Sequence, residues 1–270
     1  MIRISEINQI QELTNKIKKF VLDADMDIVG IADVNNDLFQ EAPDSHQPKN
    51  ILEGANSVIV FGKSMPRSIF RLKNHHTNLV HRAYHSLYKF LDITGVRLAH
   101  FVESLGHYSI SIPSYNPLAI ENFQPWGIIS LKHAGLAAGI GKIAKDGLLI
   151  HPTHGTLLRL SAVITTAKLI PDPMMEDNVC KECNLCIDKC PNQAFDENGN
   201  FKKMTCLPNT VKHGLNILHP YNQDYLKNIE LISNTFLLEY TIGCTKCLDV
   251  CPINKKKPFK TRELIQLYYH

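Results

Sequence analysis

Eight cysteines, the only ones in the chain, lie between Cys180 and Cys251. They read C-x2-C-x2-C-x3-C-P (Cys180, Cys183, Cys186, Cys190, Pro191), then a single Cys206, then C-x2-C-x3-C-P (Cys244, Cys247, Cys251, Pro252). Three thiolates at two-residue gaps curl around three corners of an iron–sulfur cube, and the fourth cysteine reaches a second cube. The proline behind it stops the loop closing back and sends the chain onward. At four thiolates per cube, eight cysteines fill two 4Fe–4S clusters with none left over. Cys190 and Cys251 are then the cross-over ligands. Cluster one takes Cys180, Cys183, Cys186 and Cys251, and cluster two takes Cys190, Cys206, Cys244 and Cys247. Structural zinc also uses C-x2-C pairs, but two longer runs that each end in Cys-Pro suit cubanes better. Disulfides fit worse, because every cysteine crowds into one module and no secretory signal precedes it.

The elements that position this module come before it. Ser5–Asp23 carries Ile7, Ile10, Leu13, Ile17, Phe20 and Val21 at helical spacing and predicts an amphipathic helix. Asp27–Val34 and Ser57–Gly62 read as short buried strands, separated by a polar loop over Asn35–Asn50. Asn78 to Gly106 is helical by periodicity, with Gly95 a candidate break. Ser109–Pro113 is a brief strand. His133–Ala138 reads as a small-residue helix, followed by glycine turns at Gly139 and Gly141, a strand at Gly147–Ile150, a turn at Pro152–Gly155 and a strand at Leu160–Thr166. This order predicts a layered α+β or α/β arrangement. Pro171 and Pro173 mark a linker, and Tyr225–Leu238 predicts a further helix between the cysteine runs.

Composition bounds the class. With 270 residues, 44% hydrophobic and 20% charged, the chain is an ordinary globular protein that can bury a sizeable core. A formal charge of +3 is too small to argue for nucleic acid. No apolar stretch is long enough to span a membrane, and with reduced thiols and no export signal the expected compartment is the cytoplasm. His81 and His85 stand at helical i, i+4, a zinc-ligand spacing, but without an H-E-x-x-H core they read as a solvated helix face. Lys255–Lys257, Lys260 and Arg262 form a basic run that suits a solvated tail or an acidic partner. GIGK at Gly139–Lys142 lacks the rest of a P-loop.

The DIVGIA and SVIVFG strands, the AAGIGKIAKDGLLIHPTHG loop and the downstream cysteine module together resemble the epoxyqueuosine reductases and their iron–sulfur relatives, which include the reductive dehalogenases. The resemblance covers about residues 5–256. It implies an α+β fold: a nitroreductase-like N-terminal domain (1–170), a bacterial-type two-cluster ferredoxin domain (171–257) and a tail (258–270). It further implies a cobalamin in the N-terminal domain, contacted by Ala138, Gly139, Gly141, Lys142, Gly147 and Leu148, with the clusters passing electrons to cobalt. The missing D-x-H-x-x-G motif (Asp44, His46, then Gln47, Pro48, Lys49) suits a corrin bound without a protein ligand to cobalt.

Some positions depart from the family. Ala144 and Asp146 stand where it usually has Gly and Asn. The segment SISIPSYNPLAIEN lacks the family's acidic proton donor, with Glu121 the nearest carboxylate. Tyr115 and His133 then stand as candidate proton donors. The chain also stops soon after the clusters, without the helical-repeat extension that helps relatives hold tRNA. These features predict a reductase acting on a small-molecule substrate or a corrinoid protein, fed by flavodoxin or ferredoxin, with tRNA not expected. The alternatives are an electron-transfer or corrinoid-reducing accessory protein without its own substrate, and a relative that keeps only the clusters.

Overall fold

The computed structural model describes residues 4–74, 76–115, 119–121, 124–177, 179–212 and 241–256. The helix expected at Tyr225–Leu238, the residues Lys257, Lys260 and Arg262, the 258–270 tail and His75 lie outside the described residues.

Four strands make one sheet in the order β1 (Ile28–Asp33), β2 (Ser57–Ser64), β8 (Leu158–Thr165), β3 (Ser109–Ile112). Every pairing is antiparallel, with Ile28 opposite Gly62, Ser57 opposite Thr165 and Ser109 opposite Thr165. That decides between the layered alternatives in favour of α+β, since a doubly wound α/β sheet is largely parallel. Alternation along β2 sends Ile59 and Phe61 to one face and Val58 and Val60 to the other. The first face is covered by α1 (Ile4–Asp23) and α4 (His76–Ser104) through Ile17, Val21, Leu91, Leu98 and Val102. Phe20 and Phe101 stack between these helices at 4.3 Å. The second face is covered by α5 (Leu131–Ala137), whose small residues Ala134 and Ala137 let it lie close to the sheet. Strands buried on both faces carry apolar runs, as β2 does over Val58–Phe61 and β8 over Ala162–Ile164.

Three details differ from the sequence expectation. The helix α4 runs through Gly95 unbroken: a Cβ there would stand 2.3 Å from Ser111 Oγ, so this glycine admits β3 against the helix. The polar loop holds two helical turns, α2 (Asp37–Gln40) and α3 (Pro48–Ile51), the first capped by Asn36, whose Oδ1 accepts from Leu38 N at 3.1 Å. The proline-flanked linker is tied to the sheet edge, because Asp172 N donates to Ile31 O at 2.9 Å and Asp172 Oδ2 accepts from Ile31 N at 2.8 Å. Lys18 adds an ion pair to Asp172 at 2.6 Å.

The remaining elements are short: hairpins β4 (Ala119–Glu121) with β5 (Gln124–Trp126) and β6 (Lys142–Ile143) with β7 (Leu149–Ile150), then α6 (Leu185–Asp188), α7 (Lys203–Thr210), β9 (Val211–Lys212), β10 (Thr241–Ile242) and the helix Lys246–Val250. The cysteine module docks through an apolar cluster that joins Met65, Val80, Tyr84 and Leu157 to Ile242 and Leu248. Asn254, 2% exposed, locks the seam: its Oδ1 accepts from Thr156 N at 3.0 Å, and its Nδ2 donates to Thr156 Oγ1 and Leu248 O, each at 2.9 Å.

Candidate functional site

The cysteine loops surround two adjoining hollows. The larger, about 390 Å³, has Cys190, Cys206, Cys244 and Cys247 in one wall. The smaller, about 170 Å³, is lined by Cys180, Cys183, Cys186 and Cys251. Cys186 and Cys247 reach both, as does Asp146. Among the described residues no three His, Cys, Asp or Glu side chains converge closely enough for a single metal ion. Thiols spread around a hollow are the donor set of a multinuclear cluster rather than of a lone zinc. Burial pushes the Cys186 thiol up to about 11 and raises Cys206, Cys247 and Cys251 as well. Bound iron is what would hold them as thiolates. One thiol already has a donor aimed at sulfur, as Ala194 N lies 3.4 Å from Cys190 Sγ, while Thr210 Oγ1 donates to Cys206 O at 3.1 Å and also lies 3.1 Å from Cys206 Sγ.

Opposite its cysteines, the larger cavity is walled by the layered half of the protein. Tyr84 and Tyr88, one turn apart on α4, and Tyr115 after β3 supply aromatic faces. Tyr88 and Tyr115 stack at 5.7 Å and 19°. The turn that carries Tyr115 is pinned by Asp92, whose Oδ1 accepts from Ser114 N and Ser114 Oγ, each at 2.7 Å. Arg159 on β8 is buried beneath this wall, donates to Leu158 O at 2.6 Å and to the Tyr84 hydroxyl, and stacks 4.3 Å from the Tyr84 ring centroid. Burial drives the Tyr84 phenol up to about 12, so it stays neutral. Lys132 Nζ donates to Gly147 O at 2.9 Å, and burial lowers its affinity for a proton. Burial raises the Asp146 carboxyl above the usual range, although Leu148 N donates to it at 3.2 Å.

Of the residues assigned to a corrin, Gly147 and Leu148 line the cavity, while Ala138, Gly139, Gly141 and Lys142 are not in its wall. Both of these glycines have a packing reason of their own. A Cβ on Gly139 (φ +70°) would stand 2.3 Å from Pro173 O, and one on Gly141 2.4 Å from Ile150 O. Ala138 is buried against Gly30 of β1, and Lys142 pairs with Ile150 in the β6–β7 hairpin. Tyr115 is in the cavity wall. His133 is not: it faces Ser130 Oγ at 2.7 Å, and burial, then the nearby Lys132, lowers its pKa. The solvated face expected for His81 is also corrected. His81 is 1% exposed, covered where Ile242 N approaches its Nδ1 at 3.4 Å, and meets His85 edge-on. Sequence reading missed Tyr84, Tyr88, Lys132 and Arg159. The i, i+4 tyrosines on a helix were the one local signal for them.

Residues 179–254 match the 4Fe–4S double cluster binding domain family. Over 222 residues the chain is 27% identical to the epoxyqueuosine reductase of Staphylococcus aureus (strain NCTC 8325 / PS 47), covering 77% of this chain and 51% of that protein. Over 119 residues it is 32% identical to that of Synechococcus sp. (strain CC9605), covering 44% and 34%. The chain is similar to the epoxyqueuosine reductases. It spans about half or less of the length of these curated relatives. The fold agrees with that of solved epoxyqueuosine reductases. One in complex with a tRNA-Tyr epoxyqueuosine-modified stem loop superposes with a TM-score of 0.59 at 22% identity, over 92% of this chain and 67% of that one. A catabolic reductive dehalogenase superposes with a TM-score of 0.61 at 16% identity, over 96% of this chain and 34% of that one.

The expectation that excluded tRNA is therefore corrected, since the relatives with this fold include one solved with a tRNA stem loop. The position of the chain's last residue carries no weight against it. Nor do these relatives support a small-molecule substrate. Among the described residues no helix is long and apolar enough to cross a membrane.

Proposed function

We propose that the protein is a reductase that draws electrons through cluster one into cluster two and onward into the large cavity, where an epoxide-bearing nucleoside of tRNA is reduced at a bound cobalamin. The observation that carries this reading is the cavity itself: the cluster-two cysteines form one wall and Tyr115, Lys132 and Arg159 stand in the other, so no further carrier is needed. Removing an epoxide oxygen consumes two electrons and two protons and releases water. Cobalamin, when bound, supplies a low-potential metal centre that passes electrons to carbon.

The chain's own residues support that chemistry. The stacked Tyr88 and Tyr115 rings offer flat apolar contact to a macrocycle. Among the described residues no histidine lines the cavity, which suits a corrin held without a protein ligand to cobalt. Lys132 and Arg159 set positive charge where a phosphate or a developing oxyanion would sit. Tyr115 is the proton donor by position, and the pinned Ser114 turn holds its phenol toward the cavity.

The test is anaerobic reconstitution with iron and sulfide, a cobalamin titration followed by visible spectroscopy, and turnover on tRNA carrying epoxyqueuosine. Cobalamin binding with conversion of the nucleoside supports the reading, and failure of either removes it. Tyr115→Phe should bind cobalamin as the wild type does while turnover falls about 10²-fold, the usual worth of a positioned acid. Unchanged turnover would remove Tyr115 from the proton path.

A further inference from the structure

We propose that Asn192 donates a hydrogen bond to the cluster held by Cys190, Cys206, Cys244 and Cys247 and raises that cluster's reduction potential. Asn192 follows Cys190 by two residues and lines the larger hollow. Its Nδ2 is shut off from solvent and meets no acceptor among the described residues. A buried amide left unpaired forfeits its hydration without compensation, so native proteins rarely keep one without a purpose or a missing partner. The group missing from a hollow walled by four thiols is an iron–sulfur cube, whose sulfides and thiolates are hydrogen-bond acceptors.

A neighbour shows the same orientation of a donor toward sulfur. Ala194 N points at Cys190 Sγ from 3.4 Å, a bond complete in the protein alone. The Asn192 amide is a donor that the described residues leave unused. Reduction adds negative charge to the cube, and an N–H dipole aimed at its sulfur stabilises the reduced form more than the oxidised one. Asn192 therefore draws electrons inward, toward the cluster that borders the cavity.

The inference depends on this module holding its clusters but not on cobalamin or tRNA, and its test uses neither. The reconstituted full chain is poised anaerobically at a series of potentials and both clusters are followed by EPR. The signal absent from a Cys206→Ala variant identifies the cluster in question. Asn192→Ala should lower that cluster's reduced-to-oxidised ratio at fixed poise about three- to tenfold, or about 30–60 mV at 59 mV per tenfold. The other cluster should not move. Asn192→Asp keeps the shape and replaces the donor with an oxygen, so it should shift the ratio the same way and further. It also decides the matter if the alanine variant fails to assemble. No shift in the aspartate variant, or equal shifts in both clusters, overturns the proposal.

Discussion

His151 shows how a single imidazole sets a pH limit on this fold. Its Nδ1 accepts from Thr153 N at 3.0 Å and His154 N at 3.2 Å, which closes the turn between β7 and β8. Burial, then the neighbouring His154 ring, pushes its pKa from 6.5 down to about 4. Folding thus favours the neutral ring. The unfolded chain binds the extra proton between about pH 6.5 and 4, so stability is full above 6.5 and falls as the pH drops through that window. By pH 5 the loss is about 2 kcal/mol, with both backbone bonds forfeited once Nδ1 carries a proton. His151→Asn offers an Oδ1 to the same backbone groups as an Asx turn without the titration. Urea midpoints at pH 7.5 and pH 5 should lie closer together in this variant than in the wild type. An equal acid loss in both proteins would show that His151 does not carry it.

At the scale of elements, glycines separate contacts that yield from contacts that do not. A Cβ on Gly30 would lie 2.2 Å from the backbone Ala138 O, with the α5 turn held against β1 and unable to retreat. Gly30→Ala should cost about 2–4 kcal/mol in denaturant unfolding. A Cβ on Gly95 would meet Ser111 Oγ, a hydroxyl that can rotate away, and alanine improves a helix interior by about 1 kcal/mol. Gly95→Ala should therefore change stability by less than about 1 kcal/mol, and a loss as large as that of Gly30→Ala would refute the distinction. The same contrast explains what was legible in the sequence. α1, β1, β2, β3 and β8 were visible because each carries its own apolar pattern. Gly95 was misread as a break, and the packing at Gly139 and Gly141 was not legible, because Ser111, Pro173 and Ile150 are remote in sequence. The linker at Pro171–Pro173 looked loose because its ties run to Ile31 and Lys18.

Across the whole molecule, the cysteines were the legible part of the site and the cavity was not. Spacing named the thiols, whereas Tyr84, Arg159 and Asn192 acquire roles only when α4, β8 and the first cysteine run meet around one hollow. That meeting makes the division of ligands testable. Cys251 lines only the smaller hollow and Cys206 only the larger one. Cys251→Ala should keep about four of eight irons and retain the cluster beside Tyr115. Cys206→Ala should keep a similar amount of iron and retain the other cluster. The two remaining EPR signals must then differ and together reproduce the wild-type spectrum; the same surviving signal in both variants would overturn the division. The consequences for electron flow differ as well. With the outer cluster gone, a small reductant that enters the large cavity can still reduce the inner one. With the inner cluster gone, the outer one sits behind Cys186 and Asp146 at the junction of the hollows, with no cluster between it and the cavity. Cys206→Ala should therefore abolish reduction in the cavity by electrons that enter at the exposed Cys183 side, while Cys251→Ala slows entry but leaves the last step intact.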